Sequence, residues 1–358
     1  MNVDRIVILV PGFLGSALTA PSGVEVWGEN LTNNYRRIID NPAILSWSDL
    51  PATAAFLDCM KVKFFHIAIK RVGLWGRTLD CLHSHPHFGS QRVFTYPYDW
   101  RQSILKSAEN LAAATTEYRR YFATLSHRRP KVVFVTHSMG GLLVRTAVGR
   151  KLLSPKVIDR IIHIGSPLHG APSAFSSTFG TINMPLMPEI MQLMHGRRFD
   201  VFRQNFLTAV GTFESAWELY PWTKRRFVRL DGDSRFIHPF SSVRIVDEQH
   251  QKRATAVHKA VQDSVQILRE NGVAVRRIYT ESLAPAKTEI EFEVRRDIFN
   301  GRRQYSLSST RVTTNGDGTV PSDSSSEADA DHSFPVVDVP HAFMCDHPRV
   351  TQMLSVLL

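Results

Sequence analysis

The apolar positions of this chain fall into two periods. Arg5 to Val10 is mostly β-branched and apolar, the pattern of a strand buried on both faces. Pro11-Gly12-Phe13-Leu14-Gly15-Ser16 then predicts a turn. Val93 to Tyr96 predicts a second strand, running into Pro97-Tyr98-Asp99-Trp100-Arg101. Residues 103–125 have helical spacing, with Ile104, Leu105, Leu111, Tyr118 and Leu125 on or near one face. Val132-Val133-Phe134-Val135, within Lys131 to Thr136, predicts a third buried strand. A helix over Leu142 to Leu153 and a fourth strand within Val157 to Ile164 follow. Strands alternating with helices imply a parallel α/β sheet.

That alternation stops after Pro172. Residues 173–245 are rich in Phe, Met and Trp and show no clean strand. Residues 246–271 read as a polar helix ending at Gly272, and Val273 to Thr280 returns to a strand pattern. Tyr305 to Thr313 is strand-like, Ser322 to Asp331 reads as an acidic loop, Phe334 to Val339 as the last strand, and Pro348 to Leu358 as a closing helix. The expected organisation is one core, residues 1–172 and 246–358, interrupted by a mainly helical cap, residues 173–245. No internal repeat or low-complexity tract is present.

Composition narrows the class. The chain has 358 residues, 43% apolar and 21% charged, which is enough apolar surface for a core and excludes disorder as the main state. Three scattered cysteines, Cys59, Cys81 and Cys345, cannot frame a disulfide-stapled fold and read as thiols. The first apolar run is too short for a secretory signal, and no stretch approaches the ~20 residues of a membrane span. A cytoplasmic protein is expected, with peripheral contact at a membrane. The net charge is +10, with basic clusters at Arg119-Arg120, at Arg128-Arg129-Pro130-Lys131 and at Lys224-Arg225-Arg226. No nucleic-acid motif accompanies them, so they read either as a solvated surface or as attraction to anionic lipid head groups. The sequence leaves the oligomeric state open.

The sharpest chemical signal is Val132-Val133-Phe134-Val135-Thr136-His137-Ser138-Met139-Gly140-Gly141-Leu142-Leu143: strand, tight turn, helix. A G-x-S-x-G nucleophile turn demands that context, because a strained turn lifts the hydroxyl clear and the helix start offers N–H groups to an oxyanion. Thr136 stands at the first glycine position, which predicts a slightly more open turn. A serine needs a base, and the base needs an orienting acid, in the chain order Ser, Asp, His. Asp317 in Asn315-Gly316-Asp317-Gly318-Thr319-Val320-Pro321 and His341 after the last strand satisfy that order. Asp323 and Asp338 are rival acids and His347 a rival base. Asp338 is set aside as lying within a strand, His347 as preceding Pro348 at a helix start. His137 reads as a packing residue, since neighbouring side chains point apart. Met139 and Phe13 are the expected oxyanion N–H donors, with Gly12 and Gly15 permitting close approach. The histidines show no metal-ligand spacing, so neither a metal nor a cofactor is expected.

Several segments together resemble one family: Val10-Pro11-Gly12-Phe13-Leu14-Gly15-Ser16, Tyr98-Asp99-Trp100-Arg101, Thr136-His137-Ser138-Met139-Gly140-Gly141, Gly165-Ser166-Pro167-Leu168-His169-Gly170-Ala171-Pro172, Gly316-Asp317-Gly318-Thr319-Val320-Pro321 and His341. They look like the lecithin:cholesterol acyltransferase family of α/β-hydrolases, which includes lysosomal phospholipase A2 and phospholipid:diacylglycerol acyltransferases. The resemblance implies a mostly parallel sheet with helices on both faces and an inserted cap. It also implies attack on a lipid acyl ester through an acyl-serine, with Ser138, Asp317, His341, Phe13 and Met139 in the roles above. Tyr98-Asp99-Trp100-Arg101 reads either as a structural anchor or as a substrate contact.

Met184, Met187, Met191 and Met194, with Phe175, Phe179, Phe199, Phe202, Phe206 and Phe213, are candidates for an acyl pocket or for ordinary helical core. Phe56-Leu57 through Met60, Phe64-Phe65, Ile67 and Leu74-Trp75, within residues 50–85, form a candidate interfacial loop region. The alternatives to a lipid-directed acyl hydrolase or acyltransferase are a small-ester or amide hydrolase and a catalytically silent hydrolase fold used for binding.

Overall fold

The computed structural model describes residues 4–46, 52–64, 67–178, 197–221, 228–230, 236–237, 246–281, 290–299, 302–312, 315–326 and 332–358. The central sheet holds β1 (Arg5–Val10), β2 (Val93–Thr95), β3 (Lys131–His137), β4 (Ile158–Ile164), β5 (Ala274–Glu281) and β6 (His332–Val337). They lie in the order β6-β5-β4-β3-β1-β2, and every neighbouring pair is parallel. Ten helices lie among the described residues: α1 (Leu31–Asp40), α2 (Gly76–Ser84), α3 (Ile104–Ser126), α4 (Met139–Gly149), α5 (Pro172–Thr178), α6 (Arg197–Val210), α7 (Glu214–Glu218), α8 (Glu248–Glu270), α9 (Ser322–Ser326) and α10 (Pro348–Leu357).

The period of two along each strand divides the core into two layers. Ile6, Ile8, Val10, Val132, Phe134, Ile161 and Val275 pack with Ile104, Leu111, Leu142, Val257 and Val261 from α3, α4 and α8. Val7, Leu9, Val133, Val135, Ile162, Ile164, Ile278 and Val336 pack with Leu82, Val350 and Leu354 from α2 and α10. Both faces of the sheet are therefore covered, which is why its strands read as continuous apolar runs.

Several expected elements differ. Residues 322–331 were expected as a loop, but Ser322–Ser326 form α9. The last strand ends at Val337, and Asp338 follows it with φ +54 rather than lying within it. The stretch expected to lack strands contains Val228–Leu230 and Phe236–Ile237, which join Ile290–Phe299 and Arg302–Val312 in a separate four-stranded sheet. Strands of two and three residues are too short to show alternation; Ile290–Phe299, from beyond α8, supplies the partner of Val228–Leu230, which in turn pairs with Phe236–Ile237.

The 50–85 region is not a loop: it holds strands Thr53–Phe56, Cys59–Phe64 and Ile67–Gly73, followed by α2. Leu57, Met60 and Trp75 are buried. The phenylalanines of α6 and its flank are core as well. Phe202 stacks on Tyr35 at 4.5 Å between ring centroids, and Phe206 and Phe213 reach Trp27 and Trp100. Met184, Met187, Met191, Met194, Phe179 and the 224–226 basic cluster lie outside the described residues, as do the side chains of Phe64, Phe65 and Ile67. Arg128 to Lys131 leads into the start of β3, whereas Ser138 follows its end. Seven residues at ~3.3 Å each separate them by about 23 Å along the sheet. That basic cluster therefore sits at the opposite end of the sheet from the serine. Among the described residues no helix is long and apolar enough to cross a membrane. All three cysteines are free thiols.

Candidate active site

Three loops at the carboxyl ends of the strands converge. Ser138 links β3 to α4 with φ +51 and ψ −129, a left-handed backbone that costs a non-glycine residue roughly 1–3 kcal/mol and persists only where its surroundings enforce it. Its N–H donates to the Ile164 carbonyl at 3.0 Å, and its carbonyl accepts the Gly141 N–H at 3.0 Å. A Cβ on Gly140 would stand 2.4 Å from the Val10 carbonyl oxygen, so only glycine lets α4 start against the end of β1. Thr136 remains in regular pairing with His163, and its hydroxyl lies 2.8 Å from His163 Nδ1. Its extra bulk is taken up inside the α4 face rather than in the turn.

Asp317 sits in a tight loop closed by its own backbone. Its N–H donates to the Val320 carbonyl at 3.2 Å, and Oδ1 accepts the N–H groups of Thr319 and Val320 at 2.9 and 2.7 Å. His341 opens a 3-10 turn, His341–Asp346, after Pro340, and its N–H donates to the Asp317 carbonyl at 3.0 Å. Its Nδ1 is 2.6 Å from Asp317 Oδ2, and its Nε2 is 2.8 Å from Ser138 Oγ. A carboxylate only accepts, so Nδ1 carries the proton and Nε2 is free to accept from the serine hydroxyl. All three side chains are buried. The structure brings together Ser138, Asp317 and His341 and leaves the rivals apart. Asp323 is exposed on α9, and Asp338 is exposed beyond β6. His347 caps α10, its Nδ1 accepting the Arg349 N–H.

The two expected oxyanion donors come from the start of α4 and from the loop after β1. Met139 begins α4, so its N–H is one of the four that a helix leaves without an intrahelical acceptor. A Cβ on Gly12 would lie 2.6 Å from Ser138 Cβ and 3.2 Å from Ser138 Oγ, so the backbone leading to Phe13 passes directly beside the serine. Tyr98 holds this loop by donating its hydroxyl to the Pro11 carbonyl at 2.9 Å, and Trp100 donates Nε1–H to the Ser16 carbonyl at 2.9 Å. The Phe13 ring packs edge-on to Trp100 at 4.9 Å. Tyr98, Asp99, Trp100 and Arg101 are all buried, and Tyr98 and Trp100 anchor this loop.

Two further residues touch the site, though neither has a role in it by sequence alone. Gly165 has φ +56, and a Cβ there would stand 2.7 Å from Met344 Sδ and 3.3 Å from both Asp317 Oδ2 and His341 Nδ1. Any side chain at 165 would press on the acid–base pair. His137, assigned above to packing, lies against His341, with its Nε2 3.0 Å from the His341 carbonyl oxygen. Among the described residues no three His, Cys, Asp or Glu side chains converge as a metal site needs.

A sequence model of the family described as lecithin:cholesterol acyltransferase matches residues 30–226. Among curated proteins no sequence matches. Among solved structures, one from the Tle4-Tli4 complex is similar over 99% of this chain and 98% of that chain, with TM-score 0.59 and 14% identity, a likeness of fold. Bacillus licheniformis lipase BlEst2 in mature form aligns with TM-score 0.43 and 12% identity, over 100% of this chain and 93% of that one. Phospholipase PlaB from Legionella pneumophila aligns with TM-score 0.41 and 10% identity, over 99% of this chain and 59% of that one.

Proposed function

This chain belongs to the lecithin:cholesterol acyltransferase family of α/β-hydrolases, ester hydrolases and acyltransferases of lipids, and from that premise we propose that it acts through an acyl-serine on Ser138. Ser138 Oγ attacks the ester carbonyl as its proton passes to His341 Nε2, and Asp317 holds the imidazole in the required tautomer and balances the imidazolium. The N–H groups of Phe13 and Met139 receive the oxyanion. The C–O bond to the leaving alcohol then breaks, and the alcohol takes the proton from His341. Water or a second alcohol repeats the sequence, which releases the acyl group and restores the serine. Residues 173–245 act as the cap over the acyl chain, and the enzyme meets its lipid as a peripheral protein.

One observation carries this reading: a serine hydroxyl, an imidazole and a carboxylate in line at 2.8 and 2.6 Å. Such a serine is activated only if the imidazole accepts its proton. Ser138→Ala should abolish acyl release from long-chain esters with the fold intact, and a fluorophosphonate should label the parent chain at Ser138 alone. Full turnover in that variant would end the assignment. Product analysis with mixed lipids, with and without an alcohol acceptor, separates hydrolysis from transfer.

A further inference from the structure

His137 is the last residue of β3, and successive side chains of a strand face opposite ways. Thr136 turns into the α4 face of the sheet, where its hydroxyl meets His163. His137 turns to the other face, toward Trp75 and the turn that carries His341. There its ring centroid is 4.8 Å from that of His341, the planes 34° apart, and the Trp75 ring stands edge-on at 6.2 Å. His137 Nε2 lies 3.0 Å from the His341 carbonyl oxygen, an atom that only accepts. Nε2 therefore carries the proton. Burial, and then the charge of His341, push the His137 pKa down to about 3. His137 thus stays neutral while its neighbour gains and loses a proton.

These contacts complete the grip on His341. Its backbone N–H is held by the Asp317 carbonyl and its side-chain Nδ1 by Asp317 Oδ2, both from a loop. The hold on its carbonyl comes from β3, a strand paired on both sides within the central sheet. The residue next to the serine therefore fixes the base, so the two ends of the proton path share one rigid element.

We propose that His137 is a positioning residue for this reaction: its Nε2–H and ring face keep His341 at hydrogen-bonding distance from Ser138. The proposal rests on the Ser138–His341–Asp317 reading above. A neutral ring suits the task, since a second cation 4.8 Å away would oppose the imidazolium that forms on His341.

The test compares His137→Phe, which keeps a ring and loses the donor, with His137→Gln, whose terminal amide reaches as far as Nε2 and keeps one. Turnover of a medium-chain p-nitrophenyl ester is followed from pH 5 to 9, with melting temperatures alongside. His137→Phe should lower kcat by about tenfold or more with KM within about twofold, the loss expected when a catalytic group sits slightly out of place. His137→Gln should recover most of kcat. Wild-type kcat in His137→Phe overturns the proposal. So does an equal fall in both variants, the mark of packing alone. Ser138→Ala, run beside them, separates the failures: turnover there defeats the serine reading itself, whereas a dead Ser138→Ala beside a fully active His137→Phe defeats only this inference.

Discussion

Asp317 meets His341 through one oxygen only. Oδ2 takes the imidazole Nδ1–H at 2.6 Å, while Oδ1 is held by the backbone N–H groups of Thr319 and Val320. The carboxylate cannot swing, so the proton on Nδ1 is fixed and Nε2 always faces the serine. Asp317→Asn keeps the shape but can place an amide N–H against Nδ1, which selects the wrong tautomer. We expect kcat to fall about 10³–10⁴-fold with the fold unchanged by circular dichroism. A variant within tenfold of the parent would show that Asp317 does not set the tautomer.

Helix α7 is coupled to the start of α3 by a buried acid. Glu218 accepts the Ser103 hydroxyl at 2.7 Å and the Ile104 N–H at 2.5 Å, at the start of α3. Burial raises its carboxyl to about 7 from an ordinary 4.5, against the pull of those two hydrogen bonds. Between these values the folded chain keeps a proton that the unfolded chain has released. Stability from this group is therefore full below about pH 4.5 and is lost as pH rises through 7, by up to roughly 3 kcal/mol. Glu218→Gln can accept from Ile104 and donate to Ser103 without a charge. Urea unfolding at pH 5, 6.5 and 8 should show a shallower decline for the variant, which becomes the more stable protein at pH 8. Parallel curves for the two proteins would exclude this ionisation.

The parallel sheet was legible because residues such as Val132 to Val135 are apolar on both faces and so announce burial without any partner. Ser138, Asp317 and His341 stood out because each sits in a short turn after a strand-like run, in the order that one fold permits. What the sequence hid depends on contacts between distant segments. The contact of His137 with a carbonyl 204 positions on comes from the loop after β6, and no local pattern encodes it. The strand Val228–Leu230 exists through pairing with Ile290–Phe299, and Phe236–Ile237 through pairing with Val228–Leu230. Leu57, Met60 and Trp75 form an apolar stretch that suits a lipid surface or a core equally well, and only their burial decides for the core.

The segment Tyr98-Asp99-Trp100-Arg101 joins the loop of Pro11 to Ser16, α7 and the chain around Leu45 and Ala52, and an ion pair lies at its centre. Arg101 donates Nε–H and Nη2–H to the two oxygens of Asp99 at 2.9 and 2.7 Å, with both side chains almost wholly buried. Asp99 Oδ2 also accepts the Ala52 N–H, and Arg101 Nη1–H reaches the Leu45 carbonyl at 3.4 Å. Between them, Trp100 offers its carbonyl to the Ser215 hydroxyl of α7 at 2.6 Å and its ring to Phe13. Removing one charge strands the other in a place water does not reach, so Arg101→Met should cost about 3–5 kcal/mol. Asp99→Asn should cost less, because the amide oxygen still accepts one backbone N–H. The double variant should be more stable than the sum of the single losses by about 1–3 kcal/mol, since neither charge is then left alone. Chemical denaturation of the four proteins measures this coupling. Additive losses would mean that the two charges do not depend on one another, and that the loop of Pro11 to Ser16 is held through Tyr98 and Trp100 alone.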